Sequence, residues 1–412
     1  MTRVALAFSG GLDTTICVPL LEEEYGYDEV IGVTVDVGQP ASEFEEAEET
    51  ADALDLDHYV VDAKDEFADL CFDSVRANAT YQGYPLGTAL ARPVIAEAIL
   101  EVAEENDCTG IAHGCTGKGN DQLRFEAVWR DSDLEVIAPV RELGLTREWE
   151  QEYAAEKELP VEGGSGGDWS VDTNLWSRSV EGDELEDPSY VPSTEIYNWT
   201  DEPSGETEEI EITFEQGYPV AIDGEEYDAV SLIEYLNELA GSYGVGRTDS
   251  MEDRMLGLKV RENYEHPAAT TLLNAHEALE GLVLTQEERE FKQLIDQKWS
   301  KKGYEGLVDA PLVVHSRGSS LRPAARHRHG HDPLRGRQGP SGRSRQRYAG
   351  PTRLNTPPSI RRRSARLPRR TPLASRSTTA SSAVSRTRSR LTRARTSRSR
   401  TRNGRRRGVV MT

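Results

Sequence analysis

The sequence predicts an α/β protein in three parts. An N-terminal doubly wound parallel sheet occupies residues 1–165, an α+β domain 166–315, and a disordered basic tail 316–412. Three observations predict it. Short apolar runs alternate with amphipathic segments through the first part, as a parallel sheet with covering helices requires. A glycine-rich break, Gly-Gly-Ser-Gly-Gly at 163–167, then precedes a stretch with hairpin and alternating-strand signals. Near residue 315 the charge reverses sign.

The elements follow in order. Residues 4–8 are an apolar run of buried-strand type, and Ile16, Leu20 and Leu21 share one face of the helix after it. Pro19 falls inside that helix, where proline costs about 3 kcal/mol or forces a kink. Strands follow at 30–37, 59–61, 110–112 and 134–139, and helices at 41–54, 67–78, 91–105 and 121–130. Thr146 caps a helix running to about 158. Past the glycine break, 208–214 alternates as a strand and Asp223-Gly224 is a hairpin turn. Ser231 caps a helix through Ala240, and two more helices fit 268–280 and 286–302.

The net charge of −24 hides a body at −51 and a tail at +27. Residues 1–315 hold 71 acidic and 20 basic side chains, only eight of them lysine. Such a surface suits solubility in high salt, where a Debye length of roughly 3 Å screens self-repulsion, and it points to a halophilic host. It also makes the body a poor match for nucleic acid. No signal peptide and no run of 18 apolar residues is present, so a cytoplasmic location without a membrane span is expected. Cys17, Cys71, Cys108 and Cys115 lack C-x-x-C spacing and read as reduced, partly buried thiols; no metal site is expected from them.

The first strand ends in Ser9-Gly10-Gly11-Leu12-Asp13-Thr14. Strand, glycine turn and helix start together make an anion site, because free N–H groups and the positive end of the helix face the ligand. The glycines let the backbone bend and approach closely, and Ser9 and Thr14 add hydroxyls. An ordinary tight turn is the plainer alternative, which the flanking strand and helix disfavour. It is not a Walker loop, which ends in Gly-Lys-Ser/Thr. The other Gly-Lys pair, Gly117-Lys118, is followed by Gly119, with Ala112 where the first glycine would stand.

A second loop, His113-Gly114-Cys115-Thr116-Gly117-Lys118-Gly119-Asn120-Asp121-Gln122-Leu123-Arg124-Phe125-Glu126, packs donors and acceptors around what would suit a small zwitterion. A capped polar loop is the alternative. His58, His113, His266 and His276 are scattered and read as structural.

With this loop the chain resembles the argininosuccinate synthase family. The Ser-Gly-Gly-Leu-Asp-Thr turn is similar to the loop of ATP pyrophosphatases, which implies a HUP-like first domain and a synthetase second domain. The 113–126 run is far more specific. The resemblance continues at 84–93 (Tyr-Pro-Leu-Gly-Thr-Ala-Leu-Ala-Arg-Pro), 169–176, 178–182, Gly246-Arg247, 251–254 and 259–265, spanning residues 3–314. It implies joining of citrulline to aspartate, with ATP cleaved to AMP and diphosphate, through a citrullyl-adenylate. ATP would lie on Ala7, Phe8, Ser9, Gly10, Gly11, Leu12, Asp13, Thr14 and Thr15 and near Gly114. Aspartate would meet Thr116, Asn120 and Asp121. Citrulline would meet Tyr84, Thr88, Asn120, Arg124, Ser170, Ser179, Glu252 and Tyr264. Thr88 and Val260 depart from the serines expected there; the first keeps its hydroxyl.

The chemistry agrees with those roles. The ureido oxygen must be adenylated before it can leave, and such phosphoryl chemistry needs positioning and charge neutralisation. Asp13, Asp121 and Arg124 are the catalytic candidates. Mg²⁺, held largely by phosphate oxygens, would stabilise the leaving diphosphate. In the second step the aspartate amine must lose a proton; no side chain stands out as the base, and the substrate's own phosphate is one acceptor. The resemblance also implies a homotetramer, to which the family's C-terminal region contributes.

The tail, with 28 arginines, 15 serines and a single aromatic, Tyr348, cannot bury enough apolar surface to fold. One reading is a basic arm gripping nucleic acid, which with the ATP-cleaving domain would make an RNA-modifying protein. The other is a shifted reading frame, since GAC-rich acidic codons read out of register as ACG or CGA give Thr and Arg; His327, His329 and His331 would then carry no meaning. Composition favours the second. Translating the gene in its other two frames beyond codon 315 is expected to give an acidic continuation with helical patterning; its absence from both frames leaves the basic arm.

Overall fold

Two faces of one parallel sheet organise the first half of the chain. In this computed structural model residues 1–161, 169–203, 207–310 and 342–349 are described, all within the unit Met1–Leu354. The chain runs β1 (Arg3–Ala7), α1 (Leu12–Glu23), β2 (Glu29–Asp36), α2 (Ala41–Ala53), β3 (Asp57–Asp62) and α3 (Lys64–Arg76). A small hairpin, β4 (Thr80–Tyr81) and β5 (Tyr84–Pro85), leads to α4 (Thr88–Glu105), β6 (Gly110–His113), α5 (Asp121–Trp129), β7 (Glu135–Ile137), α6 (Pro139–Glu142) and α7 (Arg147–Glu156). The sheet order is β3-β2-β1-β6-β7, all parallel. The chain moves outward from β1 to β3, then returns to the other side of β1 with β6. That reversal makes the crevice between the carboxyl ends of β1 and β6 the place where such sheets bind ligands.

Val4, Ala5 and Leu6 are all fully buried, as a central strand covered on both faces demands. Alternate residues serve opposite cores. Val4, Leu6 and Phe8 pack with Ile16, Leu20 and Leu21 of α1 and Ala154 of α7, whereas Ala5 packs with Phe67, Leu90, Ile99 and Trp129 on the α3–α4–α5 side. Helix α1 runs unbroken through Pro19, which lacks the N–H that would bond Thr15 O. Helix α4 starts three residues earlier than the sequence indicated and takes Pro93 into its second turn. Thr146 caps α7 as expected, its hydroxyl accepting from Trp149 N at 3.3 Å. The glycine break at 163–167 lies outside the described residues.

The second half is α+β: β8 (Ser170–Thr173), β9 (Arg178–Glu181), two short 3-10 turns, β10 (Thr207–Glu215), β11 (Tyr218–Ile222), β12 (Glu225–Glu226), α8 (Ala229–Ser242), β13 (Arg247–Asp253), β14 (Lys259–Glu265), α9 (Pro267–Val283) and α10 (Gln286–Tyr304). An antiparallel sheet, β13-β14-β9-β8, carries polar strands that the sequence did not reveal. The turn Asp223-Gly224 joins β11 to β12 with positive φ at both residues, as a tight hairpin needs. The cap of α8 is Asp228 rather than Ser231. Asp228 Oδ1 accepts from Ser231 N at 2.8 Å, so Ser231 belongs to the first turn it was expected to open.

Within the tail the expectation of no fold is corrected at one place: β15 (Gly342–Ala349) pairs antiparallel with β10. Backbone pairing needs no apolar side chain, and β10 otherwise presents an open row of N–H and C=O groups. Among the described residues no helix is long and apolar enough to cross a membrane. All four cysteines are free, with Cys17, Cys71 and Cys108 buried.

Gly10 has φ +75°, and a Cβ there would lie 2.8 Å from Ala47 Cα. Gly10→Ala is therefore expected to cost about 1–3 kcal/mol, read as a lower denaturant midpoint at fixed high salt.

Candidate active site

The phosphate turn presents backbone more than side chain. Gly11 caps α1 without a side-chain bond, and the first intrahelical amide is Thr15 N, 2.9 Å from Gly11 O. The amides of Leu12, Asp13 and Thr14 therefore have no helical partner, and they point past the end of β1. Phe8 and Thr15 are buried and bonded within the fold, Phe8 N donating to Val33 O, Phe8 O accepting from Thr34 and Thr15 N donating to Gly11 O, and Leu12 packs on the core below. Ser9 is exposed, its hydroxyl 3.2 Å from that of Thr14, which also bonds Gly11 O and holds the turn closed.

The second loop meets this turn directly. Because Ala7 pairs with His113, the chain leaves both strands side by side. A Cβ on Gly114 would lie 3.1 Å from Asp13 O and 3.2 Å from Thr14 Cγ2, so a side chain here would crowd the turn. His113 stays inside the fold, its Nδ1 accepting from Cys115 N and its Nε2 3.4 Å from Glu126 Oε1. Asn120 precedes α5 but does not cap it. Its amide nitrogen donates to Tyr304 Oη at 2.9 Å and its oxygen accepts from Met255 N at 3.0 Å, so its side chain is committed across the cleft.

A cavity of about 360 Å³ opens beside Asp13. Thr116, Asn120, Asp121 and Arg124 line it from the second loop and α5, and Tyr84 and Thr88 from β5 and the start of α4. Ser170, Ser179, Glu252 and Tyr264 line it from the antiparallel sheet. Residues separated by up to 250 positions in the chain thus share one space. Ala7 to Leu12, Thr14, Thr15 and Gly114 lie outside the lining, at the adjoining phosphate turn.

Ion pairs lace the walls together. Asp121 takes Arg124 Nη1 on Oδ1 and Arg92 Nε on Oδ2, both at 2.8 Å. Burial alone would raise its carboxyl, but the guanidiniums of Arg92 and Arg124 prevail and hold it at about 2. Arg92 also reaches Asp172 at 2.7 Å, and Thr88 donates to the same carboxylate at 2.9 Å. Glu252, only 2% exposed, accepts from Tyr84 at 2.6 Å on one oxygen and from Tyr304 at 3.0 Å on the other; Tyr264 shares its one proton between the first oxygen, at 3.0 Å, and Glu262 Oε2, at 2.6 Å. Arg254 bridges Glu181 and Glu262. Burial, then the charges of Glu252 and Glu181, push the Glu262 carboxyl up. At the mouth Asp13 accepts from Arg147 at 3.0 Å; burial and the charge of Asp13 push Glu150 up to about 7.

Several lining residues escaped the sequence reading. Arg92 and Asp172 sit inside motifs already noted, and their charge within those runs was the available signal. Glu181 on β9, Arg254 just past β13 and Glu262 on β14 also fall within noted runs, but nothing in the runs shows that they pair with one another. Tyr304 belongs to no motif. Among the described residues no group of three or more His, Cys, Asp and Glu side chains is placed to hold a metal ion.

Comparison with known proteins bears on this arrangement. Residues 3–160 match a family model described as Arginosuccinate synthase N-terminal HUP domain, and residues 169–323 one described as Arginosuccinate synthase C-terminal domain. The second match runs somewhat past residue 314, where the motifs stop. Over 311 residues the chain is 78% identical to a protein named argininosuccinate synthase from Natronomonas pharaonis, covering 76% of this chain and 78% of that one. Similar proteins of the same name from Haloarcula marismortui and Haloquadratum walsbyi are 76% and 74% identical, covering 75% and 76% of this chain and 74% and 79% of theirs.

The paired state of Asp121 has a measurable consequence. Its value lies below the ordinary carboxylate range, so the pairing contributes fully above about pH 4 and fades as pH falls through about 2. Asp121→Asn is expected to cost about 3 kcal/mol at pH 7, because Arg124 is left buried without its counter-charge. Denaturant melts of both forms at neutral pH check it.

Proposed function

The chain belongs to the argininosuccinate synthase family, and from that premise we propose how its residues divide the work. It joins citrulline to aspartate with ATP, as an enzyme of arginine biosynthesis. The observation that carries our division is the single cavity in which the loop after β6, the start of α4 and the antiparallel sheet converge beside the uncapped start of α1.

ATP would place its phosphates against the amides of residues 10–14, the Ser9 amide being bonded to Thr14 Oγ1. The ureido oxygen of citrulline attacks the α-phosphorus in line, the bond to the bridging oxygen breaks, and diphosphate leaves with its electron pair. Uncapped amides at a helix start are fixed dipoles that need no rearrangement as that charge develops. Mg²⁺ fits this site only in company with phosphates, because Asp13 is the one carboxylate at the turn that also lines the cavity. When bound it supplies further neutralisation of phosphate charge.

Citrulline would seat its α-ammonium toward Glu252, whose phenol partners are neutral and fix the side chain in place. Its carboxylate would meet Arg124. That guanidinium spends Nε on Tyr304 O and Nη1 on Asp121, so it offers its remaining N–H groups from one side and not a free fork. Thr88, Ser170 and Ser179 supply neutral donors around the chain of the substrate.

Aspartate would lie against Thr116, Asn120 and Asp121. In the second step its nitrogen bonds to the activated ureido carbon and AMP leaves with the oxygen. The amine must shed a proton, and Asp121, held at about 2, is too weak a base to drive that transfer. We assign Asp121 the task of holding the nucleophile in place, and leave the proton to the departing phosphate.

The acidic, lysine-poor body and the haloarchaeal relatives support a high-salt cytoplasm as the setting. A homotetramer is the expected assembly. Residues 1–165 would hold the nucleotide and 166–315 complete the synthetase site. Against the RNA-modifying alternative, the citrulline and aspartate residues are specific to the ligase and gather in one cavity.

Diphosphate release with ATP and Mg²⁺ in molar KCl is expected only when citrulline is present, with full turnover requiring aspartate as well. Release without citrulline, or release that depends on RNA, contradicts the ligase.

A further inference from the structure

We infer that Tyr304 is a positioning residue for the citrulline end of the site, setting Asn120 and Glu252 through its hydroxyl; this rests on the reading of the cavity given above. Tyr304 is the last residue of α10 and 2% exposed. It is not among the cavity-lining residues, so it acts through others.

Its phenol has one proton and accepts through its lone pairs, which makes the contact directional. Asn120 Nδ2 donates to it at 2.9 Å, and its own proton goes to Glu252 Oε1 at 3.0 Å, with Asp253 O a longer second acceptor at 3.2 Å. That order fixes which way the Asn120 amide faces, and Met255 N fixes the same choice from the other side. Burial, reinforced by Glu252, keeps the proton on the phenol, so it remains a donor at every working pH.

The backbone of the same residue holds a third site group. Arg124 Nε donates to Tyr304 O at 3.1 Å. Two residues on, Gly306 has φ +72°, and a Cβ there would lie 2.8 Å from Arg124 Cγ, so the chain turns closely over the arginine stem. The ring is held independently, stacked on Tyr81 with centroids 3.6 Å apart and planes within 8°. The aromatic stack therefore anchors Tyr304 without the hydroxyl, and the hydroxyl is left to order Asn120 and Glu252.

The test is Tyr304→Phe, which keeps the ring and removes only the hydroxyl. In high salt the KM for citrulline is expected to rise about tenfold, the loss of one bond to a charged acceptor. The KM for ATP should stay at the wild-type value, while the thermal midpoint falls modestly because Asn120 and Glu252 each lose a buried partner. Combined with Glu252→Gln, the two effects should be less than additive. Tyr304→Leu, which loses the stack as well, should lower the thermal midpoint further. A Phe variant with wild-type KM for citrulline, or one whose KM for ATP rises equally, overturns the proposal while leaving the ligase reading intact. A wild-type protein that neither binds nor turns over citrulline overturns both.

Discussion

The parallel pairing of β1 with β6 is the constraint on which the site depends. Its register sets Ala7 opposite His113, and from that point both chains must leave the sheet at the same edge. One leaves as the uncapped start of α1, the other as a glycine-rich loop whose Gly114 lies against Asp13 and Thr14. A slip of one residue would turn Val4, Ala5 and Leu6 toward the wrong cores and separate the two loops. Burial of these side chains therefore fixes the distance between the turn at 9–14 and the loop at 113–126.

The second half of the chain attaches to that frame through a shared apolar core, in which Phe67, Phe72 and Leu90 cluster with Phe214, Leu236, Leu272 and Trp299, and around the cavity through charge and phenol contacts. Thr88 and Arg92 meet Asp172, Tyr84 meets Glu252, and Leu175 N bonds Val37 O at 2.8 Å beside a glycine that leaves no room for a side chain. In an acidic protein each carboxylate of the cavity wall has to be answered locally. Asp121 is answered by two guanidiniums, Glu252 by three hydroxyls, and the difference matters. The guanidiniums make Asp121 a poor proton acceptor, whereas the partners of Glu252 are neutral phenols that hold it in place.

What was legible in the sequence follows from where each signal resides. The turn at 9–14 and the loop at 113–126 are continuous, so strand, glycine and helix start could be read from adjacent letters. The parallel sheet was readable because β1 and β2 are mostly apolar between their charged ends. The strands β8, β9, β13 and β14 were not, because their polar faces line a cavity and the alternation is broken by Arg, Asp and Glu whose partners are far along the chain. Ser231 was misassigned because Asp228, three residues earlier, is an equally good cap and only geometry decides. Tyr304 gave no signal, since its role is set entirely by what α10 packs against.

The placement of Tyr304 has a consequence for synthesis of the protein. A chain emerging from the ribosome releases the phosphate turn first and the 113–126 loop soon after, and these can pair as soon as β1 meets β6. At that stage Asn120 has no phenol to bond and Arg124 no carbonyl. Both arrive with the end of α10, nearly two hundred residues later. The nucleotide half is thus made early but gains its substrate geometry late, which couples the first capacity to cleave ATP to the presence of the groups that hold the acceptor.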